Sequence, residues 1–210
     1  MKINQITNTN SGRTPSILGH EKFLKFAILL PLVQVRDEAH ILFEVRAMTM
    51  RRQPGEICFP GGKIENGEEP MQAAIRETSE ELGIGQNEVM DVFPLDYMVS
   101  AFGTVIYPFA GVIKNPDNIF PNAAEVGEVF TVPLSFFRKN QPDRYKINFQ
   151  VEPEAGFPFD LIIGGENYNW QARGMEEYFF RYNEKVIWGL TAKILNHFIE
   201  LIDPEETDKG

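Results

Sequence analysis

Cysteine is nearly missing from this chain. Cys58 is the only one in 210 residues, so no disulfide can close within the chain. Long apolar runs are missing as well. The longest candidate, residues 26–35, is interrupted by Pro31 and Gln34 and falls short of the roughly 18 residues that a membrane helix needs. The first residues are Lys2 and then polar Asn, Gln, Thr and Ser, without the apolar core of a secretory signal. Positive charge is in deficit, with 20 Lys and Arg against 30 Asp and Glu, a net charge of −10. A protein built to hold a nucleic-acid backbone shows a basic surface instead. An acidic enzyme can still hold phosphates when metal ions bridge them to its carboxylates. The three histidines, His20, His40 and His197, have no metal-ligand spacing, and no internal repeat or low-complexity tract is present. The expectation is a soluble, cytoplasmic protein with no membrane span and no nucleic-acid partner.

Hydrophobic residues make up 43% of the chain, enough for a packed core. Residues 1–19 read as a polar, mobile arm, residues 20–203 as a single domain and residues 204–210 as a tail. Residues 23–35 and 40–46 read as strands joined by a turn at residues 36–39. In the second, Ile41, Phe43 and Val45 alternate with Leu42, Glu44 and Arg46. A loop rich in turn residues follows, with Pro54-Gly55 and Phe59-Pro60-Gly61-Gly62. Residues 70–82 read as a helix, with Pro70 at its first position, Glu68 and Glu69 at its positive end and Gly83 as its stop. Strands are expected at 89–100, 105–113, 146–151, 161–163 and 178–182, mixed signals at 123–137 around Pro133, and a closing helix at 187–202. Without a regular βα alternation, the expected class is α+β, a mixed sheet flanked by helices.

The helix at 70–82 carries the chemistry. Met71, Ala74, Ile75, Thr78 and Leu82 form an apolar stripe expected to pack on the sheet. Glu77, Glu80 and Glu81 fall elsewhere within an arc of roughly 100°. These carboxylates repel one another, and they stand near a helix C-terminus, where the macrodipole disfavours anions. A solvated charged face is the usual explanation of such a run. A hard divalent cation, Mg2+ or Mn2+, is the alternative, because it prefers oxygen ligands. Gly61-Gly62 lets backbone approach a ligand or offers a carbonyl to a metal. Glu68 and Arg76 form a charge pair that ties this loop to the helix.

Gly62, Glu68 and the run Arg76-Glu77-Thr78-Ser79-Glu80-Glu81-Leu82-Gly83-Ile84 resemble the Nudix box at every fixed position. Thr78 stands where that family has a bulky aliphatic residue. The resemblance implies a loop–helix–loop inside an α/β/α sandwich. It also implies divalent metal held by Glu77, Glu80, Glu81 and Gly61, with Gly62, Glu68, Arg76 and Gly83 as structural members. The chemistry implied is hydrolysis of a diphosphate linkage, in which metals neutralise the phosphates and a carboxylate takes a proton from water. Glu77, Glu81 and Glu125 are the expected catalytic carboxylates, and Glu128 is a second loop candidate beside Glu125.

Upstream, Ala47, Arg51, Gly55 and Phe59-Pro60-Gly61-Gly62 resemble the coenzyme A pyrophosphatase branch of that family. Glu125-Val126, Val132-Pro133-Leu134 and Trp188-Gly189-Leu190-Thr191-Ala192 add to the likeness. Glu44 and Arg46 stand where that branch has threonines, and Gln53 where it has a histidine. The implied substrate is coenzyme A or an acyl form, cut to 3′,5′-ADP and 4′-phosphopantetheine or its acyl form. Arg46, Arg51, Arg52 and Lys63 supply positive charge beside the Gly-rich turn for its phosphates. ADP-ribose or another nucleoside diphosphate derivative is the alternative substrate, and a non-catalytic nucleotide-binding module the alternative class. Phe59 is expected beneath the box helix, Cys58 as a buried inert thiol and Trp188 in the core.

Overall fold

The computed structural model describes residues 3–100, 102–171 and 173–203. The expected tail at 204–210 lies outside them. Within the N-terminal arm, Ile3–Asn10 forms a helix, α1, which its polar composition did not announce.

The main sheet has eight strands in the order β3-β2-β1-β7-β5, with β4 on β1, β6 on β7 and β8 on β2. Its members are β1 (Leu24–Val35), β2 (Glu38–Arg46), β3 (Ile57–Cys58), β4 (Gly61–Lys63), β5 (Val89–Pro94), β6 (Met98–Ser100), β7 (Thr104–Ile113) and β8 (Val126–Pro133). Only β1 and β7 run parallel, so the sheet is mixed. The turn between β1 and β2 is tighter than expected. Glu38 and Ala39 already pair with Val35 and Gln34, and Arg36 turns at φ +54°.

β1 lies at the centre, and its residues alternate between two cores. Leu29 joins Ala27, Leu42 and Phe109 beneath α2 (Pro70–Leu82). Leu30 joins Ile41, Phe43 and Val132 on the other face, against Phe137 of α3 (Leu134–Lys139) and Ala192, Leu195 and Phe198 of α4 (Gly189–Ile202). Helices thus cover both faces. Pro31 is an unexpected guest in a central strand, since it has no N–H for a ladder. Leu29 donates to Pro60 at the end of the β4 pairing, and the β2 register begins at Leu32. Pro31 therefore falls where β1 changes partner.

A second, three-stranded antiparallel sheet has the order β11-β10-β9, formed by β9 (Asp143–Phe149), β10 (Arg173–Tyr182) and β11 (Lys185–Trp188). β11 runs beside β3. The expected helix start at 187 shifts to Gly189, which leaves β11 at φ +63°. The expected strand at 161–163 is absent, and Phe159–Leu161 forms a turn of 3-10 helix. The strand expected at 89–100 is broken into β5 and β6.

Candidate active site

β1 and β4 set the loop. Pro60 accepts from Leu29 and Ile64 donates to Lys25, so Gly62 faces Ala27 at a hydrogen-bonded position of the ladder. Gly61 occupies a non-bonded position, and its N–H and C=O both turn away from β1. That N–H donates to Glu81 Oε2 at 2.7 Å. The free carbonyl leaves from the same edge. Gly61 has φ +155°, and a side chain there would strike Ala27 and Ile28. A side chain at Gly62 would run into the Glu77 carboxylate. Both glycines are required by close approach rather than by a turn.

Arg76 organises the charges. It grips Glu68 with Nε to Oε1 at 2.8 Å and Nη2 to Oε2 at 3.0 Å, a two-pronged pair. Its Nη2 also donates to the Lys63 carbonyl at 3.3 Å, and its Nη1 to Glu77 Oε1 at 2.8 Å. The Arg76 hydrogen bonds, followed by the Glu65 N–H, hold the Glu68 carboxyl down at about 2. The expected tie between loop and helix is therefore present.

The box glutamates separate. Glu81 is 5% exposed and packs inward, whereas the Glu80 side chain is 60% exposed and meets only Arg76, at 3.5 Å. Burial comes first in raising the Glu81 carboxyl to about 8, and the charges of Glu77 and Glu125 add to it against the Gly61 N–H. Burial also raises Glu77, with Arg76 opposing and Glu80 and Glu125 adding. The inward face of α2 is built from Ala73, Ala74, Thr78, Ser79, Glu81 and Leu82, while Met71 is exposed, which shifts the expected stripe. Thr78 fits there without a bulky aliphatic because its hydroxyl donates to the Ala74 carbonyl at 2.7 Å.

The loop that follows β7 brings Glu125 to the same place. Phe120 N–H donates to the Leu82 carbonyl and Asn122 N–H to the Glu81 carbonyl, both at 2.9 Å. These satisfy carbonyls that the helix end leaves unpaired. Gly83, at φ +65°, admits the close approach of Phe120. Glu128, the second candidate, points elsewhere and pairs with Lys185 at 2.5 Å.

The cationic residues divide in the same way. Arg46 lies near Glu44 and Glu81 and donates from Nε to the Arg52 carbonyl at 3.3 Å. Arg51, Arg52 and Lys63 are exposed, and none of them lines the cleft described below. Phe59 is not under α2. It stacks on Phe43 at 5.1 Å in the opposite core, because strand alternation turns it to that face. Cys58 is half-buried, and burial followed by the charges of Glu44 and Glu81 pushes its thiol up to about 12, which leaves it a poor nucleophile. Trp188 is 41% exposed, stacked on Phe179 at 5.7 Å, and not in the core.

One acidic residue escaped the motif. Glu44 of β2 is 1% exposed and faces the α2 side with Leu42. Its environment contains Glu81, Arg46 and Glu125. The alternation of β2 was the available signal, since it sets a carboxylate among inward positions beside the Gly-rich loop.

Among the described residues, no three acidic, histidine or cysteine side chains already surround one point as a finished ligand set. The donors nonetheless fit a hard divalent cation: Glu81 and Glu77 repel each other, Gly61 has a carbonyl outside the ladder, and Glu44 Oε1 is buried without a partner. A cleft of ≈ 920 Å³ has Arg46 and Cys58, the neighbours of Glu44 and Glu81, in its lining. Its walls include Val99, Phe102, Phe149, Met175, Trp188 and Leu190, with a Lys193–Glu177 ion pair of 2.9 Å.

A family model of the NUDIX domain matches residues 29–149, more than half of the chain. The chain is 37% identical over 114 residues to the peroxisomal coenzyme A diphosphatase NUDT7 of Mus musculus, covering 54% of this chain and 48% of that one. It is 30% identical over 183 residues to the mitochondrial coenzyme A diphosphatase NUDT8 of Homo sapiens, covering 85% of this chain and 69% of that one. The match to peroxisomal coenzyme A diphosphatase ndx-8 of Caenorhabditis elegans, 34% identical, covers 48% of this chain and 44% of that one. The matched region thus spans about half the length of the NUDT7 and ndx-8 relatives. A MutT/nudix family protein from Enterococcus faecalis has a crystal structure similar at a TM-score of 0.50 and 16% identity, covering 97% of this chain and 70% of that one. That likeness concerns the fold. No helix among the described residues is long and apolar enough to cross a membrane.

Proposed function

Because this chain belongs to the Nudix family, we propose that it is a divalent-metal-dependent diphosphatase that cuts coenzyme A or an acyl-coenzyme A to 3′,5′-ADP and 4′-phosphopantetheine or its acyl form. The observation that carries the choice of substrate is the apolar cleft whose lining reaches Arg46 and Cys58, the neighbours of Glu44 and Glu81. A diphosphate seated at the carboxylates would leave one arm of its substrate facing that cleft. A long arm of low charge suits those walls, and the second sugar and phosphates of a dinucleotide do not. The names of the relatives support the same substrate.

In this reading Glu77, Glu80 and Glu81, with the Gly61 carbonyl, hold Mg2+ or Mn2+. The ion supplies neutralisation of the diphosphate oxygens and acidification of a water. Glu125 or Glu77 would accept a proton from water, and Arg76 holds Glu77 against Gly62. Arg46 is the cation best placed for a substrate phosphate, with the exposed Arg51, Arg52 and Lys63 as further candidates. A small-molecule substrate rather than nucleic acid, and action in the cytoplasm, belong to the same proposal.

The test is a substrate panel with Mg2+ or Mn2+: coenzyme A, acyl-coenzyme A of rising chain length, ADP-ribose and diadenosine polyphosphates. Release of 3′,5′-ADP from the coenzyme A series is expected to exceed turnover of the others. Glu81→Gln is expected to lower it on the order of 10³-fold, because a metal-holding carboxylate is lost and with it several kcal/mol of charge stabilisation. Turnover of ADP-ribose with coenzyme A left intact would overturn the proposal.

A further inference from the structure

Glu44 breaks a rule that the other described side chains keep. Its Oε1 is the one buried side-chain oxygen or nitrogen among the described residues without a hydrogen-bond partner. Buried polar groups are paired almost without exception, and a buried carboxylate is the hardest group to leave alone. Its ladder neighbours do nothing for it. Cys58 lies opposite on β3 and offers only a weak thiol donor, and Val129 lies opposite on β8. From the elements packed around it come Glu81 of α2, Glu125 of the loop after β7 and Arg46 two residues along its own strand. Two of those three are carboxylates that repel it. The third, Arg46, attracts it but leaves Oε1 without a hydrogen bond, so a structural role in β2 does not account for a glutamate here.

We infer that Glu44 is a further carboxylate of the metal centre, with its unpaired oxygen serving as a donor to a hard divalent cation held jointly with Glu81. A cation between the two would replace their repulsion with attraction and would give Oε1 its missing partner. The inward face of β2 fixes the direction, because Glu44 shares that face with Leu42, beneath α2. Glu44 lies outside the box of residues 62–84, so the box alone does not imply this donor. The inference rests on the metal centre proposed above and not on the identity of the substrate.

The full chain, stripped of metal, is titrated with Mn2+ by calorimetry and by the spin signal of free Mn2+, in the absence of substrate. Thermal melting is recorded with and without the ion. Glu44→Gln is expected to melt no lower than the parent without metal, because an unpaired buried carboxylate is removed. Its Mn2+ affinity is expected to fall at least tenfold, and the metal-induced rise in Tm to shrink accordingly. Glu44→Asp keeps the charge with a shorter reach, and it is expected to fold and to lose several-fold in Mn2+ affinity. Affinity within twofold of the parent in both variants overturns the inference while the metal centre stands. So does a Glu44→Gln protein that melts lower without metal and keeps the full metal-induced shift. A parent protein that binds no Mn2+ refutes the metal centre itself.

Discussion

Residues 57–83 and residues 143–188 approach each other across the cleft at Arg46 and Cys58, but different physics holds them. In the first stretch the charges of the box are fixed by named partners: Arg76 grips Glu68, Glu77 and the Lys63 carbonyl, and Gly61 and Gly62 leave no room for a side chain. In the second, β9 is exposed along its whole length, and Phe149, Val186 and Trp188 show apolar surface to water. Its Arg181–Asp143 ion pair sits where solvent screens it. Bond cleavage requires atoms placed to fractions of an ångström, and the crowded stretch supplies that. Holding a long apolar arm requires area without fixed directions, and the open stretch supplies that.

This division can be broken by experiment. Among the tests of this division the largest expected effect comes from Arg76→Ala, which frees Glu68 and Glu77 together. It should lower kcat/KM about 10- to 100-fold, the range seen when the groups that orient metal ligands are removed. The loss should be equal for every substrate in the panel. A loss confined to long-chain substrates would erase the distinction between the stretches. Trp188→Ala should act the opposite way, lowering kcat/KM roughly tenfold for long-chain acyl-coenzyme A, as expected for removing one large apolar contact. Coenzyme A itself should stay within about twofold. Equal losses on both substrates would show that the cleft serves the chemistry and not the arm.

The smallest effect concerns pH. Glu81 binds its proton more tightly when folded, so that proton adds stability fully below the unfolded value of 4.5 and progressively less as pH rises towards about 8. Metal-free protein should therefore lose a few degrees of Tm between about pH 5 and pH 8, on the usual scale relating small free-energy changes to Tm. Saturating Mg2+ should flatten the slope. The exposed Arg181–Asp143 pair should leave the slope unchanged when Asp143 is replaced by Asn. A slope that persists with Mg2+ would place its origin away from the carboxylates.

The same division decides what could be read from the sequence. The box was legible because its interactions are local. Glu68 and Arg76 are 8 positions apart, and Pro70 and Gly83 bound the helix by rules of backbone geometry. What failed was long-range. Whether Glu80 or Glu81 turns inward depends on the Gly61 N–H, 20 residues away, and Phe59 went to the other core because of its pairing with β2 neighbours. Trp188 looked like core by residue type, yet it lines a cleft because β10 and β9 form a separate sheet around it. Glu44 was visible as a departure from a pattern, but its burial depends on strands β3 and β8 closing around β2.

The helix α2 ends on backbone borrowed from the loop of Phe120 and Asn122, whose N–H groups cover the carbonyls of Leu82 and Glu81. That makes the box a poor unit for transplantation. Moved to another scaffold as a stretch of sequence, it would carry its glutamates, its arginine fork and Gly83 but leave behind the N–H groups that cover its last carbonyls. Glu125 would stay behind with them, because the segment that covers the helix end also delivers the loop carboxylate. Any redesign that lengthens or reroutes this loop will retune the helix end and the acidic cluster at once, and neither can be adjusted alone.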